Sequence, residues 1–250
     1  MTIPNIIVNS AHGPMIVNQN DQFIGKSIQL LGTWAQDDID LIASFCDLIL
    51  ENKPKMTLYD VGANIGSHTV ALAKKFGSRI NIRAFEAQRQ VYYTLCGNVA
   101  INGLDNVICE FAAVSDIADT IIPIQLPDYN TINNFGGVEL MQAEYSDNQN
   151  MAKPNLEYIK TTTLDSYNES VDFVKLDVEG MEHLALEGAR QLLIKNRPVC
   201  FVEIMKTDQA KVKKLFKKLN YIAYAYKNDD WIFCPAEGDF ELEGVNQIAL

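Results

Sequence analysis

The chain has 250 residues, of which 48% are hydrophobic and 21% charged. That balance suits a globular chain with a buried core and excludes disorder, low complexity and fibrous repeats as its main state. The net charge of −11 argues against nucleic-acid binding, which calls for a basic face to neutralise phosphates.

The dense basic stretch Lys211-Val212-Lys213-Lys214-Leu215-Phe216-Lys217-Lys218 reads as a helix with its lysines on the solvated side, since 212, 215, 216 and 219 share one face. The five cysteines are widely spaced and lack a C-x-x-C pair, as buried, reduced cysteines do. The start of the chain lacks the pattern of a signal peptide, and no apolar run approaches a membrane span. A cytoplasmic location without membrane contact is the expectation.

In chain order, residues 1–54 read as an N-terminal extension that caps the active site of its own chain or of a neighbour in a homo-oligomer. Ile6-Ile7-Val8 and Met15-Ile16-Val17 predict short strands around His12-Gly13-Pro14. Ile39, Ile42, Phe45 and Ile49 give a helical stripe after Asp37-Asp38. A strand–helix alternation then opens a main domain over 55–250. Strands are predicted at 57–61, 80–86, 107–114, 171–177 and 199–204, with helices at 67–76, 89–101 and 182–195 and the lysine-faced helix after them. Tyr221–Tyr226 and Trp231–Cys234 predict a closing hairpin around Asn228-Asp229-Asp230, with one edge strand antiparallel. The fold class is α/β: a mostly parallel sheet with helices on both faces. Residues 117–163, rich in Asn, Asp, Gln and Tyr, break the rhythm and read as a lid-like insert near the carboxyl ends of the strands.

The strongest local pattern is Asp60-Val61-Gly62-Ala63-Asn64-Ile65-Gly66-Ser67-His68-Thr69, a strand running into a glycine-bearing turn that opens a helix. Gly62 permits a tight turn, Gly66 lets the helix start lie close to the strand, and the helix start offers free N–H groups. A dinucleotide site prefers G-x-G-x-x-G, whereas this chain has D-x-G-x-N-x-G. Asp60 would repel a pyrophosphate and favour a cationic ligand, and S-adenosylmethionine carries both a sulfonium and an ammonium. Glu86 ends the second strand 20 residues after Gly66, where a carboxylate accepts ribose hydroxyls.

These residues resemble the FkbM-type methyltransferases, within the S-adenosylmethionine-dependent Rossmann-like superfamily. The resemblance runs through Asp60–Gly66, Ala84-Phe85-Glu86-Ala87-Gln88, the segment 95–104 with Gly97-Asn98 and Asn102-Gly103, and Ala113-Val114-Ser115-Asp116. It continues through Thr163-Leu164-Asp165, Val174-Lys175-Leu176-Asp177-Val178-Glu179-Gly180-Met181-Glu182, Glu187-Gly188-Ala189 and Phe201-Val202-Glu203, with an echo at Gly32-Thr33-Trp34. It implies a seven-stranded sheet with an antiparallel last strand, and O-methylation, often of sugar or natural-product hydroxyls. Ala87 departs from the family's proline after the F-E pair, and Gln36 stands where the family often carries an acid.

The candidate cofactor residues are Asp60, Gly62, Ala63, Asn64, Gly66, Thr69, Glu86, Ala87, Ala113 and Asp177. Asp177 and Glu179 are the candidate catalytic acids, since an alcohol must lose its proton as the new bond forms. Glu182 reads as a helix-start acid. Asp177, Glu179 and Glu203 could hold Mg²⁺ through oxygen ligands, although no spacing demands a metal. Asn134, Phe135, Gly136, Trp34 and His68 are the candidate acceptor contacts: amides bond sugar hydroxyls, aromatics stack on sugar faces and glycine allows a hinge. The expected reaction is S-adenosylmethionine-dependent O-methylation of a saccharide or natural-product hydroxyl. The alternatives are a silent nucleoside-binding module and, more weakly, an NAD(P)-dependent oxidoreductase.

Overall fold

Five apolar runs become parallel strands because both of their faces are covered by helices. The computed structural model describes residues 4–138, 156–227, 230–238 and 245–250. The extension supplies β1 (Asn5–Ser10) and β2 (Gly13–Asn18), then α1 (Ile24–Leu31) and α2 (Gln36–Asn52). Next come β3 (Met56–Val61), α3 (Ser67–Phe76), β4 (Ile80–Glu86), α4 (Arg89–Ile101), β5 (Val107–Phe111), β6 (Ala113–Val114), β7 (Ile121–Gln125) and β8 (Leu156–Thr162). The chain closes through β9 (Phe173–Leu176), α5 (Glu182–Glu187), α6 (Arg190–Asn196), β10 (Val199–Glu203), α7 (Gln209–Lys218), β11 (Tyr221–Tyr226), β12 (Asp230–Pro235) and β13 (Asn246–Ile248).

The main sheet has the order β13-β11-β12-β10-β9-β3-β4-β5. β10, β9, β3, β4 and β5 run parallel, while β12 is antiparallel to both β10 and β11. The antiparallel strand therefore lies inside the sheet between β10 and β11, where the sequence reading put it at an edge. β13 adds an eighth strand, antiparallel to β11, to the seven expected.

Strand alternation sorts the core into two layers. Leu58, Ile82, Phe173, Val199 and Phe201 pack against Ile42 and Phe45 of α2 and Leu72 and Phe76 of α3. Tyr59, Val174, Leu176, Cys200 and Val202 face the other way, onto Leu186, Leu192, Leu193, Leu215 and Phe216 of α5, α6 and α7. α2, although part of the N-terminal segment, thus belongs to the core of the main sheet.

Three expectations are corrected. The strand expected over 107–114 ends at Phe111, and Ala113–Val114 leaves the main sheet to pair in parallel with β8. The insert is not one long loop: β7 and β8 form an antiparallel ladder that joins β6 in a three-stranded sheet. Residues 139–155 of the insert, and residues 228–229 of the expected hairpin turn, lie outside the described residues. The helix expected over 182–195 breaks at Gly188-Ala189, because the Gly188 backbone passes against Ser115 and an added Cβ would lie 2.1 Å from the Ser115 carbonyl oxygen.

Candidate functional site

The period-two rule assembles the floor of the site. Counting in twos from residues that pack on α2 and α3, Leu58 leads to Asp60, Ile82 to Glu86 and Phe173 to Lys175 and on to Asp177. Phe201 leads in the same way to Glu203 and Ile232 back to Asp230, so all these charged groups share one face at the carboxyl ends of the parallel strands. The register confirms the neighbours: Asp60 lies opposite Lys175, and Glu203 opposite Asp230. An open cleft of about 200 Å³ covers this end of the sheet.

The turn after β3 is held by its backbone. The N–H groups of Gly62 and Ala63 both donate to the Phe85 carbonyl. Gly62 has φ +80°, and a Cβ there would sit 1.7 Å from the Asp177 carbonyl oxygen, so this position tolerates glycine alone. Gly66, at φ +89°, starts α3, and its close approach is to Leu95 of α4 rather than to the strand.

The carboxylates differ in their partners. Asp60 is buried; its Oδ2 accepts from Thr69 Oγ1 at 2.6 Å, and Oδ1 lies 3.5 Å from Lys175 Nζ. Glu86 is also buried and accepts from the backbone N–H groups of Asn64 at 3.0 Å and Gln88 at 2.7 Å. Burial outweighs those bonds and pushes its carboxyl up to about 7. Asp177 Oδ2 lies 3.3 Å from Lys175 Nζ, and Glu179, at φ +53°, pairs with Lys206 Nζ at 2.6 Å. Glu203 is pushed up to about 8, first by burial and then by the charges of Asp177 and Glu179. Glu182 is buried and accepts from the N–H groups of Val178 and Gly180, which fixes the turn before α5, as a helix-start acid should.

Lys175 is the residue that the sequence reading passed over as part of a strand. It is 4% exposed, and its Nζ donates to the Gly62 carbonyl at 3.1 Å. Burial opposes its charge, but the Asp177 and Asp60 carboxylates outweigh that and hold it above the ordinary lysine value. The alternation Phe173, Lys175, Asp177 is the pattern that would have found it.

Gly62, Ala63, Asn64, Glu86, Ala87, Ala113, Asp177, Glu179, Trp34, His68, Asn134 and Gly136 all line the cleft. Asp60, Gly66 and Thr69 do not: Asp60 lies buried beneath the floor, Gly66 packs on Leu95, and the Thr69 hydroxyl is spent on Asp60. Phe135 is also turned away: its ring is buried against Tyr129, and its carbonyl accepts from Gln88 Nε2 at 2.9 Å. The amide of Asn134 and the Gly136-Gly137 backbone face the cleft instead. Gln88 was passed over as well. Besides that bond it accepts from Tyr129 Oη at 2.9 Å, so it latches the insert to the Glu86 loop.

The roof joins two distant segments. Phe23, Ile24 and Trp34 of the extension face Asn134, Gly136, Gly137 and Val138 of the insert across the cleft. Asn133 N–H donates to the Asn20 carbonyl, and Gln22 N–H to the Asn133 carbonyl. The extension is moored to α4 by Asn98, whose amide bonds both the N–H and the carbonyl of Ile16 and also the Ile65 carbonyl.

Among the described residues, the buried side-chain polar atoms without a hydrogen-bond partner are Asp60 Oδ1, Ser67 Oγ, His68 Nε2 and Glu203 Oε2. Ser67, His68 and Glu203 line the cleft, and Asp60 lies beneath it beside Lys175. Buried polar atoms of this kind are costly to leave unmatched. His68 is held down to about 4, first by burial and then by Lys175, so its imidazole is neutral near pH 7. Asp177, Glu179 and Glu203 offer oxygens within 4.8 Å of one another, a spacing a cation would accept, although Lys175 and Lys206 already face two of them.

Comparison with known proteins agrees with this fold. Methyltransferase FkbM from Methylobacillus flagellatus KT is similar in structure, with 16% identity and a TM-score of 0.51 over 72% of this chain and 44% of its own length. This chain therefore spans less than half of that protein. TYW2 from M. jannaschii, in complex with AdoMet, is similar at 17% identity and a TM-score of 0.50, covering 93% of this chain and 84% of that one. At these identities the likeness is one of fold. No curated protein sequence matches the chain. The methyltransferase FkbM domain model matches residues 60–224, two thirds of the sequence, and the chain belongs to that family.

Proposed function

We propose that the chain is an S-adenosylmethionine-dependent O-methyltransferase acting on a hydroxyl of a saccharide or natural-product acceptor. The observation that carries this reading is the cluster of unmatched polar atoms at the strand ends and the start of α3, beside a glycine turn that follows buried Asp60 and faces buried Glu86. Bound S-adenosylmethionine supplies a methyl already activated on a sulfonium. On this reading Glu86 accepts the ribose hydroxyls, while Asp60 and Asp177 favour the cationic end. The side-chain amide of Asn64, which lines the cleft, completes the cradle.

On the acceptor side, Asn134, whose Oδ1 already accepts from the Gly136 and Gly137 N–H groups, offers its amide NH₂ to hydroxyls, and Trp34 an apolar wall. Excluding water and aligning the hydroxyl supplies much of the barrier reduction, up to about 7–11 kcal/mol in favourable cases. Asp177 and Glu179 are the acids proposed to take the hydroxyl proton. Glu203 joins them, because its Oε2 is uncommitted whereas the other two carboxylates face lysines. Mg²⁺ is not required by this reading.

The acidic charge of the chain favours a small-molecule or saccharide acceptor over a nucleic acid. No described helix is long and apolar enough to cross a membrane, and the five cysteines are free, which supports a cytoplasmic setting. Whether the roof also caps a neighbouring copy is a matter for measurements of mass in solution.

The test is calorimetric titration with S-adenosylmethionine and S-adenosylhomocysteine, with NAD as control, followed by methyl transfer to a panel of hydroxylated saccharides and natural products. Saturable binding of the first two with turnover of a panel member supports the enzyme. Binding without turnover favours the silent nucleoside-binding module, and preference for NAD overturns both.

A further inference from the structure

The floor of the cleft buries an ammonium where a hydrocarbon side chain would be cheaper. A buried charge carries a heavy desolvation cost even when paired. Val174 and Leu176 fill the opposite face of the same strand with apolar bulk, yet Lys175 faces the site. Its Nζ lies 3.1 Å from the Gly62 carbonyl, 3.3 Å from Asp177 Oδ2 and 3.5 Å from Asp60 Oδ1. With Lys175 present, the two carboxylates and the ammonium sum to one negative charge; without it they would present two.

We propose that Lys175 sets the discrimination of the site between the methyl donor and its demethylated product, by holding down affinity for the cationic sulfonium. The inference rests on the reading of the cleft as an S-adenosylmethionine site. The two ligands share the nucleoside and the amino-acid tail. They differ by one methyl and by one positive charge at sulfur. A fixed ammonium beside the Gly62 turn raises the energy of a sulfonium and leaves a thioether almost untouched, while Asp60 and Asp177 act in the opposite sense. Lys175 decides where that balance stands. A lysine present only to brace the strand ends would alter the affinity for both ligands together.

The experiment compares calorimetric affinities of the full chain for S-adenosylmethionine and S-adenosylhomocysteine at about pH 8 and low ionic strength, where screening is weakest. Lys175→Met is expected to raise the donor-to-product affinity ratio by about five- to tenfold over the unaltered protein. Asp60→Asn, which removes one of the two opposing carboxylates, is expected to lower it by a similar factor. Thermal melting confirms that each variant is folded; if Lys175→Met is not, Lys175→Gln takes its place beside Asp60→Asn. A ratio that stays within about twofold of the unaltered protein in the Lys175 variant, whatever Asp60→Asn does, while both ligands still bind, overturns the role of Lys175 and leaves the cofactor reading intact. If the unaltered protein binds neither ligand, both fall.

Discussion

The floor and the roof of the cleft are held together by different physics. The floor is built from strand ends whose neighbours are fixed by backbone ladders, by a turn that admits only glycine at residue 62, and by buried charge. The roof is built from the β1–β2 hairpin, α1 and the 128–138 strap, and its order comes from side-chain amides bonded to distant backbone. Asn98 reaches 82 residues back to Ile16, and Asn18 Nδ2 reaches 111 residues forward to the Tyr129 carbonyl at 3.0 Å. The contrast teaches that the floor is fixed by the backbone, whereas the roof depends on a few removable contacts.

Substitutions can break this contrast. The largest effect is expected at the floor. Gly62→Ala would drive a Cβ into the Asp177 backbone at a positive φ, and denaturant unfolding should show a loss of at least about 3 kcal/mol, or no folded protein. An effect under about 1 kcal/mol would mean that the turn is softer than its geometry shows.

The next largest belongs to the mooring of the roof. Asn98→Ala leaves the Ile16 N–H and two carbonyls without their partner, at a cost of about 2–3 kcal/mol. Hydrogen exchange should quicken at residues 14–18 while β3 and β4 keep their protection. Uniform loosening of the whole chain would erase the distinction between floor and roof.

Glu86 sharpens the comparison through pH. In the proposed site ribose hydroxyls would donate to its charged form, and burial raises the carboxyl to about 7. Affinity for S-adenosylhomocysteine should therefore be full above that value and weaken as pH falls through it, by up to about tenfold per unit. Glu86→Gln should flatten the profile. The sign for stability is opposite: the folded-state pKa is raised, so the contribution is fully present below the unfolded value of about 4.3 and is lost as pH rises through about 7. The smallest effect is expected from Gln88→Ala, which removes the latch to Phe135 and Tyr129. About 1 kcal/mol of stability and faster exchange over 129–137 are expected, with affinity for S-adenosylhomocysteine changed less than threefold.

Much of the floor was legible in the sequence. Asp60, Gly62, Glu86 and Asp177 stand at strand ends that periodicity alone locates, and the helices on both faces follow from the continuous apolar runs. Lys175 was legible in principle, two residues before Asp177 on the same face, but a lysine within an apolar strand reads as an interruption until its opposite neighbour, Asp60, is known. The roof was less legible. Asn134 and Gly136 face the cleft as expected, while Phe135 turns inward because Tyr129 offers it a buried aromatic surface and Gln88 binds its carbonyl. The β7–β8 ladder was missed, since its two strands are separated in sequence by a polar stretch that carries no periodicity.

What the sequence determined by itself is local: the alternation of strand and helix, the glycine turn, and the parity that sends the acids to one face. These follow from backbone sterics and the two-residue period, which need no knowledge of distant chain. Tertiary structure alone decided that an antiparallel strand enters between β10 and β11, that Gly66 makes room for Leu95, and that Asn98 ties the extension to the glycine turn. Each of these depends on which surfaces meet after the chain has folded back on itself, and side-chain hydrogen bonds between segments 80 or more residues apart leave no period in the sequence.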